Sequence, residues 1–404
     1  MFLEILLFSL LGIGAGTLTG IIPGLHPNTL FVIVISFISI FSGFPLYVVL
    51  AFIIALGVSN TFTDFLPSLF LNAPEESNAL STLPGHDMLM KGKGQEALFL
   101  TVIGGLGVTI LTVITLPLLV HLIPFLYNSL SSYLHYLLIA VSFWMIVIDK
   151  KLFALFVFVV SGVFGFVSLE SMPSAVVIFP ALSGLFGFSN IIVSVRSKPK
   201  IPKQKETSRA EVSFRGIFTG WVSGLLVGIL PGVGSSQAGV VSSQMLKTKQ
   251  KHFLTALGGI NTSNILFTFI MFFTLEKTRS GAVWAISQIL FTPSFNELLL
   301  IMIVGVITAF VSAVITIKIG KGFLKFIQKV DYVKLNYITM LCLVVLVFVF
   351  TGLIGLFISV IGTFVGLVTI QFGVKRSTMM GFFIVPTILY FAGLNPLIGV
   401  LFGF

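Results

Sequence analysis

Long apolar stretches without a charged residue recur along this chain, such as the one from Leu335 to Phe350. Of the 404 residues, 56% are hydrophobic and only 9% are charged, and the mean hydropathy is +1.13. Soluble domains contain about 25% charged residues, so this composition excludes a soluble protein. Apolar stretches that do not alternate are typical of membrane helices rather than barrel strands. We therefore predict an all-α polytopic membrane protein with about 10–12 membrane segments, since one crossing takes about 20 residues.

Basic residues give the chain a net charge of +10 and lie in short clusters between the apolar stretches. Such clusters indicate anchoring on the cytoplasmic side and not nucleic-acid binding. The region from Arg196 to Arg215 carries seven of the 23 basic side chains and no apolar run. This region predicts three parts: an N-terminal membrane repeat (1–195), a basic cytoplasmic linker (196–213) and a C-terminal membrane repeat (214–404).

Two sequence motifs occur once in each half. The pattern Gly-x-x-x-Gly-x-x-x-Gly-x-x-Pro-Gly starts at Gly12 and again at Gly220, 208 residues later. The pattern Ala-Leu-Gly-x-x-Asn-Thr starts at Ala55 and again at Ala256, 201 residues later. We interpret the halves as duplicated units. Each unit is predicted to contain a Gly-rich helix that ends at Pro-Gly and a second helix that is interrupted at Asn-Thr.

The positive charges of the two halves are complementary. The basic stretch Lys318–Lys334 corresponds to residues 117–133, which contain no Lys or Arg, and Lys150 and Lys151 correspond to uncharged positions 351 and 352. Lys and Arg concentrate in cytoplasmic loops. Equivalent loops are therefore expected on opposite faces of the membrane, which predicts inverted-topology repeats with the linker inside and both chain termini outside.

The two Pro-Gly sequences are predicted to break membrane helices or to form re-entrant loops. Proline lacks an N–H and glycine permits positive φ, so a helix that reaches Pro-Gly ends there. The helix that restarts would point its free N–H groups and positive dipole end into a cavity, where an anion can bind. The alternative is a purely structural kink. The predicted substrate-binding residues of these loops are Pro23, Gly24, Asn28 and Thr29 in the first half, and Pro231, Gly232, Ser235, Ser236 and Gln237 in the second.

A second polar cluster surrounds each Asn-Thr pair. Amide and hydroxyl groups at this spacing can bond a carboxylate or supply oxygens to Na⁺, although such side chains also join membrane helices by hydrogen bonds. Asn60, Thr61, Asn261 and Thr262 are predicted to bind substrate. Thr63, Asp64 and Asn264 are predicted to bind a coupling Na⁺ or H⁺, because an acidic residue in an apolar span is costly unless it has a function. The sequence predicts no other cofactor and no metal centre.

The region from Leu71 to Leu98 is too polar for a membrane helix. A short helix over residues 75–83 and a tight turn at Pro84-Gly85 are expected here. His86 and Asp87 could suggest acid–base chemistry, but adjacent residues point in different directions. A solvated loop is the preferred interpretation.

Several short motifs together resemble those of a known family. They are Gly-x-x-Pro-Gly-Leu at 20–25, Asn-Ala-Pro at 72–74, Pro-Gly-His-Asp-Met at 84–88, Leu-Pro-Gly-Val-Gly at 230–234 and Lys-Arg-Ser at 375–377. This combination resembles the large membrane subunit of tripartite tricarboxylate transporters. The resemblance implies a cation-coupled importer of organic carboxylates that works with an extracellular binding protein and a small membrane subunit. It also implies that the Pro-Gly loops and Asn-Thr clusters form the site.

The sequence therefore predicts a multi-pass permease of the plasma membrane that imports a di- or tricarboxylate by symport with Na⁺ or H⁺. It contacts membrane lipid, and a homodimer is left open. An enzyme or an ATP-driven pump is not expected, because the chain contains no phosphate-binding Gly-x-x-x-x-Gly-Lys-Ser/Thr motif, no His-Glu-x-x-His and no Gly-x-Ser-x-Gly. One alternative stays open. A helix-terminus anion site also suits phosphate, so the chain could translocate an anionic lipid carrier such as polyprenyl phosphate.

Overall fold

A computed structural model describes residues 2–22, 44–73, 78–197, 201–205, 211–229, 235, 238–240, 242, 250–278, 280–290 and 293–394. All regular elements within these residues are helical. Eight of the helices are long and apolar enough to cross a membrane, and one bent pair would make a ninth. The predicted all-α membrane class is confirmed. The Pro-Gly sequences and the segments that follow them lie largely outside the described residues. The predicted number of 10–12 membrane segments was made for the whole chain, so it stays a prediction.

The helices of the first half are α1 (Phe2–Ile21), α2 (Leu46–Thr63), α3 (Phe65–Leu71), α4 (Thr82–Met90), α5 (Gly94–Ile114), α6 (Leu116–Leu130), α7 (Leu134–Ile148), α8 (Lys151–Ser171), α9 (Ser174–Leu182) and α10 (Ser189–Ser197). Short 3₁₀ turns cover Ala79–Ser81 and Ser131–Tyr133, and a π-helical segment, Ser183–Phe188, joins α9 to α10.

The helices of the second half are α11 (Phe214–Ile229), α12 (Gln250–Leu275), α13 (Gly281–Ser287), α14 (Phe295–Ile327), α15 (Tyr332–Phe372) and α16 (Gly381–Phe391), with a 3₁₀ turn over Arg376–Met380. The offset of 201 residues returns in these bounds. Helix α5 begins at Gly94, and α14 begins at the equivalent position in the second half, Phe295. Likewise, α8 begins at Lys151, and the equivalent position in the second half is the kink of α15 at Gly352, which has φ +66°. Whether the two halves are inverted stays a prediction.

Glycines set the close packing of α1 on α2 and of α11 on α12. A Cβ atom added at Gly16 would meet the Leu56 carbonyl oxygen and the Ser59 side chain, whereas one added at Gly14 would meet open space. In the second half, a Cβ at Gly224 would meet the Ser263 hydroxyl. Helices in lipid associate through such small residues because their backbones can then approach closely. The Gly-x-x-x-Gly motifs therefore fix both helix pairs.

Helices α2 and α12 form the centre of the protein. In each of these two spans 83% of the residues in the apolar window are buried, against 22% in α15. Helix α5 crosses α12 backbone to backbone, since a Cβ at Gly104 would meet the Thr255 carbonyl oxygen and one at Gly258 the Thr101 carbonyl oxygen. Helix α14 packs along α2 with Gly305 facing Ile54. Each half therefore covers the central helix of the other.

Two local predictions are wrong. Helix α12 continues through Asn261-Thr262, and α2 continues through Asn60-Thr61 to Thr63. Their polar side chains bond to neighbouring groups, so the backbone does not need to open. The turn expected at Pro84-Gly85 is also absent, because α4 runs from Thr82 to Met90. Pro84 lies in the first turn of α4, where a missing N–H breaks no helical hydrogen bond.

The expected solvated loop around His86 is likewise corrected. Met88 and Leu89 of α4 are buried in the core, and Gly85 packs on Leu69 of α3. Residues 201–205 of the linker cover the turn between α4 and α5. Lys205 N donates to the Gly92 carbonyl oxygen at 2.8 Å, and the Gln204 side chain contacts both Leu89 and Gly94.

Candidate functional site

Half of the predicted site residues fall within the described part of the chain. These are Asn60, Thr61, Thr63, Asp64, Ser235, Asn261, Thr262 and Asn264. The other predicted residues lie outside the described residues: Pro23, Gly24, Asn28, Thr29, Pro231, Gly232, Ser236 and Gln237.

The two Asn-Thr pairs meet where α2 contacts α12. The Thr61 and Thr262 hydroxyl oxygens, which occupy equivalent positions in the two halves, lie 3.1 Å apart. Both side chains are buried, and each hydroxyl also reaches a carbonyl oxygen of its own helix, at Val58 and Gly258 respectively. Gly105 of α5 covers this contact, because a Cβ there would meet the Thr262 hydroxyl. Equivalent residues of the two halves therefore touch at the protein centre.

Asp64 lies next to this contact at the end of α2. The Asn261 amide of α12 donates to Asp64 Oδ2 at 2.7 Å and approaches the Thr61 carbonyl oxygen at 3.4 Å. The Asp64 side chain is only 1% exposed. The Asn78 amide donates to the Asp64 backbone carbonyl at 2.8 Å, so the 3₁₀ turn before α4 is fixed to this point. An acidic group is thus placed between the halves, with an amide oriented toward it.

The remaining predicted residues face other neighbours. Asn60 Nδ2 donates to the Thr19 hydroxyl of α1 at 3.1 Å, and the Thr63 hydroxyl donates to the Gly16 and Ser59 carbonyl oxygens at 3.3 and 3.1 Å. Both residues therefore hold α1 against α2 and do not lie at the contact with α12. The structure separates one predicted cluster into two sets with different partners.

Asn264 connects α12 to the segment that follows the second Pro-Gly sequence. Its amide donates to the Ser235 hydroxyl at 3.4 Å, and Ser235 is 3% exposed. In the first half, Gly20 near the end of α1 packs against Thr63 and the Asp64 backbone nitrogen. In each half, a residue three positions away from the Pro-Gly sequence therefore contacts a polar residue at one of the two central helices.

A row of hydroxyl groups on α14 was not predicted from the sequence. Thr308, Ser312 and Thr316 are completely buried, and their hydroxyls have no hydrogen-bond partner in the described part of the chain. Gly305 of the same helix faces Ile54 of α2, and Gly320 faces Leu98 of α5 and Leu66 of α3, so the row lies on a helix that packs against α2, α3 and α5. Hydroxyls spaced four residues apart on an apolar helix were the available signal.

Two glutamates at equivalent positions join the ends of the central helices. Glu96, in the first turn of α5, accepts from Lys251 Nζ at 2.7 Å near the start of α12. Glu297, in the first turn of α14, accepts from the Tyr47 hydroxyl at 3.4 Å near the start of α2. Both glutamates are 9% exposed. Each half therefore holds the first turns of the central helix of the other half by a carboxylate contact.

The sequence comparison identifies the family. The model of the tripartite tricarboxylate transporter TctA family matches residues 6–381, which is nearly the whole chain. The chain belongs to this family. An uncharacterized protein of Methanocaldococcus jannaschii is 30% identical over 397 residues, which cover 96% of this chain and 98% of the relative. No solved structure matches the chain significantly.

Membership of the TctA family confirms two predictions: the chain is a transporter, and it is not an enzyme. The family is tripartite, which implies a substrate and further subunits. Groups of three or more His, Cys, Asp or Glu side chains that could hold a metal ion are absent from the described residues. The central contact instead offers hydroxyl, amide and carboxylate groups. Such oxygen donors suit a hard monovalent cation or a proton.

Proposed function

We propose that this TctA-family chain is a secondary active transporter that imports a small di- or tricarboxylate together with Na⁺ or H⁺. The observation that carries the proposal is the contact of Thr61 and Asp64 with Thr262 and Asn261, which joins the two halves by polar side chains at the centre of the protein. Polar groups at membrane depth are costly and mark ion or substrate pathways.

The coupling cation is assigned to Asp64. Its carboxylate lies between α2 and α12, and the Thr61 and Thr262 hydroxyl oxygens supply neutral oxygens nearby. A movement of α2 relative to α12 would change the distance between these groups, which links cation occupancy to the contact between the halves.

The anion is assigned to the two Pro-Gly loops. Pro23 follows Gly20 by three residues, so the chain spans at most about 10 Å between them. Gly20 itself packs against Thr63 and Asp64. In the second half, Ser235 contacts Asn264 three residues after Gly232. The helix N-termini expected after the Pro-Gly sequences would therefore lie near the coupling carboxylate, which places anion and cation in one region.

The expected setting follows from the same proposal. The protein lies in the plasma membrane in contact with lipid, receives its substrate from an extracellular binding protein and assembles with a small membrane subunit. A homodimer is one arrangement that cross-linking of the purified protein would test.

Uptake into proteoliposomes tests the proposed function. Labelled citrate and succinate are offered with an inward Na⁺ gradient, an inward H⁺ gradient or neither. The wild-type protein is expected to accumulate one of them only with a gradient, and Asp64→Asn is expected to lose that dependence. Glu211→Gln is the matched control, because the Glu211 side chain is 85% exposed and takes no part in the central contact.

Lipid transport is the contrasting result. In parallel vesicles, fluorescent polyprenyl phosphate is expected to stay in its original leaflet. Flipping of this lipid without uptake of either carboxylate would contradict the proposed function and favour the lipid-carrier alternative.

A further inference from the structure

Three hydroxyl groups in the middle of α14 have no hydrogen-bond partner among the residues that the structure describes. They belong to Thr308, Ser312 and Thr316, which are completely buried, and we refer to them as the hydroxyl row. Residues four apart in sequence lie on one face of a helix, so the three side chains point in nearly the same direction. Burial of a polar group without a hydrogen bond is costly, so the hydroxyl row calls for a functional explanation.

Several other buried hydroxyls on the long helices bond to their own helix. Thr109 of α5 donates to the Gly105 carbonyl oxygen at 2.8 Å, and Thr369 of α15 donates to the Val365 carbonyl oxygen at 2.8 Å. A bond to the carbonyl oxygen four residues earlier is a common arrangement for Ser and Thr within a helix. The same kind of acceptor exists for each member of the hydroxyl row, because α14 begins well before them, at Phe295. The hydroxyl row therefore keeps its hydrogen-bonding capacity for another group.

The first half does not repeat the hydroxyl row. The equivalent positions are Gly107, Leu111 and Thr115. Gly107 packs against Ile217 of α11, and the Thr115 hydroxyl donates to the Leu111 carbonyl oxygen at 2.6 Å. The hydroxyl row is therefore not part of the packing that the two halves share, and it distinguishes α14 from its counterpart α5.

The hydroxyl row faces the interior of the protein. Ser312 lies seven residues, or about two turns, after Gly305, which places both on the same face of α14. A Cβ at Gly305 would lie 3.4 Å from Leu266 Cδ2 of α12 and 3.9 Å from Ile54 Cγ1 of α2. The hydroxyl row is thus turned toward the two central helices and not toward lipid.

Helix α14 runs alongside α2 and α3 in the same direction. Three contacts occur in the same order along both partners: the Tyr47 hydroxyl with Glu297, Ile54 with Gly305, and Leu66 with Gly320. The hydroxyl row lies between the second and the third of these contacts. The opposing stretch of α2 and α3 contains Thr61 and Asp64. The hydroxyl row therefore lies at the level of the segment that carries the Asp64 carboxylate, which is assigned to the coupling cation.

The contact of α14 with α2 is looser than the equivalent contact of α5 with α12. Gly104 and Gly305 occupy equivalent positions, and so do their neighbours Thr255 and Ile54. A Cβ at Gly104 would collide with the Thr255 carbonyl oxygen, whereas a Cβ at Gly305 would make only ordinary van der Waals contacts. Separation of α14 from α2 would therefore cost less packing than separation of α5 from α12.

We propose that the hydroxyl row binds Na⁺ on its path to Asp64, and that this path is closed in the present structure. The inference rests on the proposed function and deepens it, because it names the coupling cation and its route. The lone pairs of hydroxyl oxygens can replace the hydration water of a hard cation. The hydroxyl row supplies neutral oxygens and no group that titrates near pH 7, which favours Na⁺ over H⁺ as the ion that passes.

The complete burial of the hydroxyl row fits a closed path. In the closed arrangement the three hydroxyls lack hydrogen bonds, and they would gain water or Na⁺ when α14 moves away from α2. This gain offsets the loss of apolar contacts on separation. The hydroxyl row therefore lowers the free-energy difference between a closed and an open arrangement, and alternating access needs both.

Thermal unfolding of the purified full-length protein in detergent, with NaCl or choline chloride, tests this proposal. Na⁺ is expected to raise the melting temperature of the wild-type protein, and the concentration dependence gives an apparent Kd. Ser312→Ala should have two opposite effects. It should raise the melting temperature without Na⁺, because it removes an unsatisfied hydroxyl, and it should weaken the apparent Na⁺ affinity roughly threefold to tenfold, the value of one hydrogen bond.

Matched variants separate the hydroxyl from the shape of the side chain. Thr316→Val loses the hydroxyl and should behave like Ser312→Ala, whereas Thr316→Ser retains it and should keep the wild-type Na⁺ affinity. Thr109→Val, on the equivalent helix α5, removes a buried hydroxyl that already donates to its own helix. It should neither raise the melting temperature without Na⁺ nor change the Na⁺ affinity.

Cysteine labelling measures whether the path opens. Ser312→Cys and Thr109→Cys are each introduced into a Cys342→Ala background, because Cys342 is exposed. The reconstituted proteins are treated with a small cationic methanethiosulfonate reagent. Ser312→Cys is expected to react faster than Thr109→Cys, and Na⁺ is expected to slow the reaction because it occupies the same path.

The outcomes distinguish this inference from the proposed function. The path would be overturned, and carboxylate symport left standing, by a wild-type melting temperature that ignores Na⁺, by unchanged Na⁺ affinity in Ser312→Ala and Thr316→Val, or by equal labelling of Ser312→Cys and Thr109→Cys. Carboxylate uptake that follows an H⁺ gradient and ignores Na⁺ would also overturn the inference alone, since the proposed function allows either cation. Uptake of neither citrate nor succinate by the wild-type protein under any gradient would overturn both.

Discussion

The two Asn-Thr pairs have the same sequence but different contacts. Asn60 bonds to Thr19 of α1 within its own half, whereas Asn261 reaches across to Asp64 of the other half. The cause is visible in the sequence: the position equivalent to Asp64 is Ile265, so only one half supplies a carboxylate. The threonines behave differently, since Thr61 and Thr262 contact each other. Equivalent residues of the two halves, Thr61 and Thr262, form the shared contact. The carboxylate comes from Asp64, a position at which the two halves differ.

The largest effect is expected where the halves are packed alike. Gly16→Val should destabilise the protein by ~3 kcal/mol or more, because the added side chain would collide with Leu56 and Ser59. Gly224→Val should do the same through Ser263. Gly14→Val is the control, since a Cβ there meets open space. Thermal unfolding in detergent measures all three. Similar melting temperatures for Gly14→Val and Gly16→Val would contradict the packing argument.

Acid titration should reveal a feature of one half alone, because the position equivalent to His86 is Ser287. His86 has a folded-state pKa of about 4, below its ordinary value of 6.5, so its contribution to stability is present above pH 6.5 and is lost as the pH falls toward 4. The loss should approach about 3 kcal/mol. Unfolding measured from pH 7 to pH 4 should show it in the wild-type protein and not in His86→Gln. His121→Gln, on an exposed face of α6, should retain the wild-type pH dependence.

The helical membrane class follows from the sequence, because uncharged apolar stretches leave the backbone no other way to satisfy its hydrogen bonds. The pairing of α1 with α2 is implicit in the Gly-x-x-x-Gly spacing. The direction of each polar side chain does not follow from this spacing. Asn60 and Thr61 are adjacent, and helical geometry turns one toward α1 and the other toward α12.

Burial of α4 also escaped prediction. Its polar composition suggested solvent, but Pro84 and Asp87 of α4 accept hydrogen bonds from the Gln250 side chain, which lies 166 and 163 residues away in the sequence. Contacts of this kind depend on how the halves assemble. The local sequence around Pro84-Gly85 carries no information about them.

The different roles of the two asparagines lead to a direct comparison. Asn261→Ala should cost ~1.5–3 kcal/mol if Asp64 is ionised, since it removes a hydrogen bond to a charged group, whereas Asn60→Ala removes a neutral one worth about 1 kcal/mol. Only Asn261→Ala should also change the Na⁺ or H⁺ dependence of carboxylate uptake. Equal effects of both variants on cation dependence would show that Asp64 does not depend on the cross-half contact.

The smallest effect is expected at the threonine contact, where the two halves are most alike. Thr61→Val and Thr262→Val should each cost little and cost the same, because the partner hydroxyl keeps its own-helix acceptor at Gly258 or Val58. The double variant should reveal a coupling of ~0.6 kcal/mol, the average for hydrogen bonds between membrane helices. Free energies of unfolding from SDS titration form the cycle, with Thr61→Val and Thr369→Val as the uncoupled control pair. Thr369 lies on the peripheral helix α15 and bonds within it, so that pair should be additive. A coupling no larger than in the control pair would mean that the hydroxyls merely lie side by side, and the polar link between the halves would then rest on Asp64 and Asn261 alone.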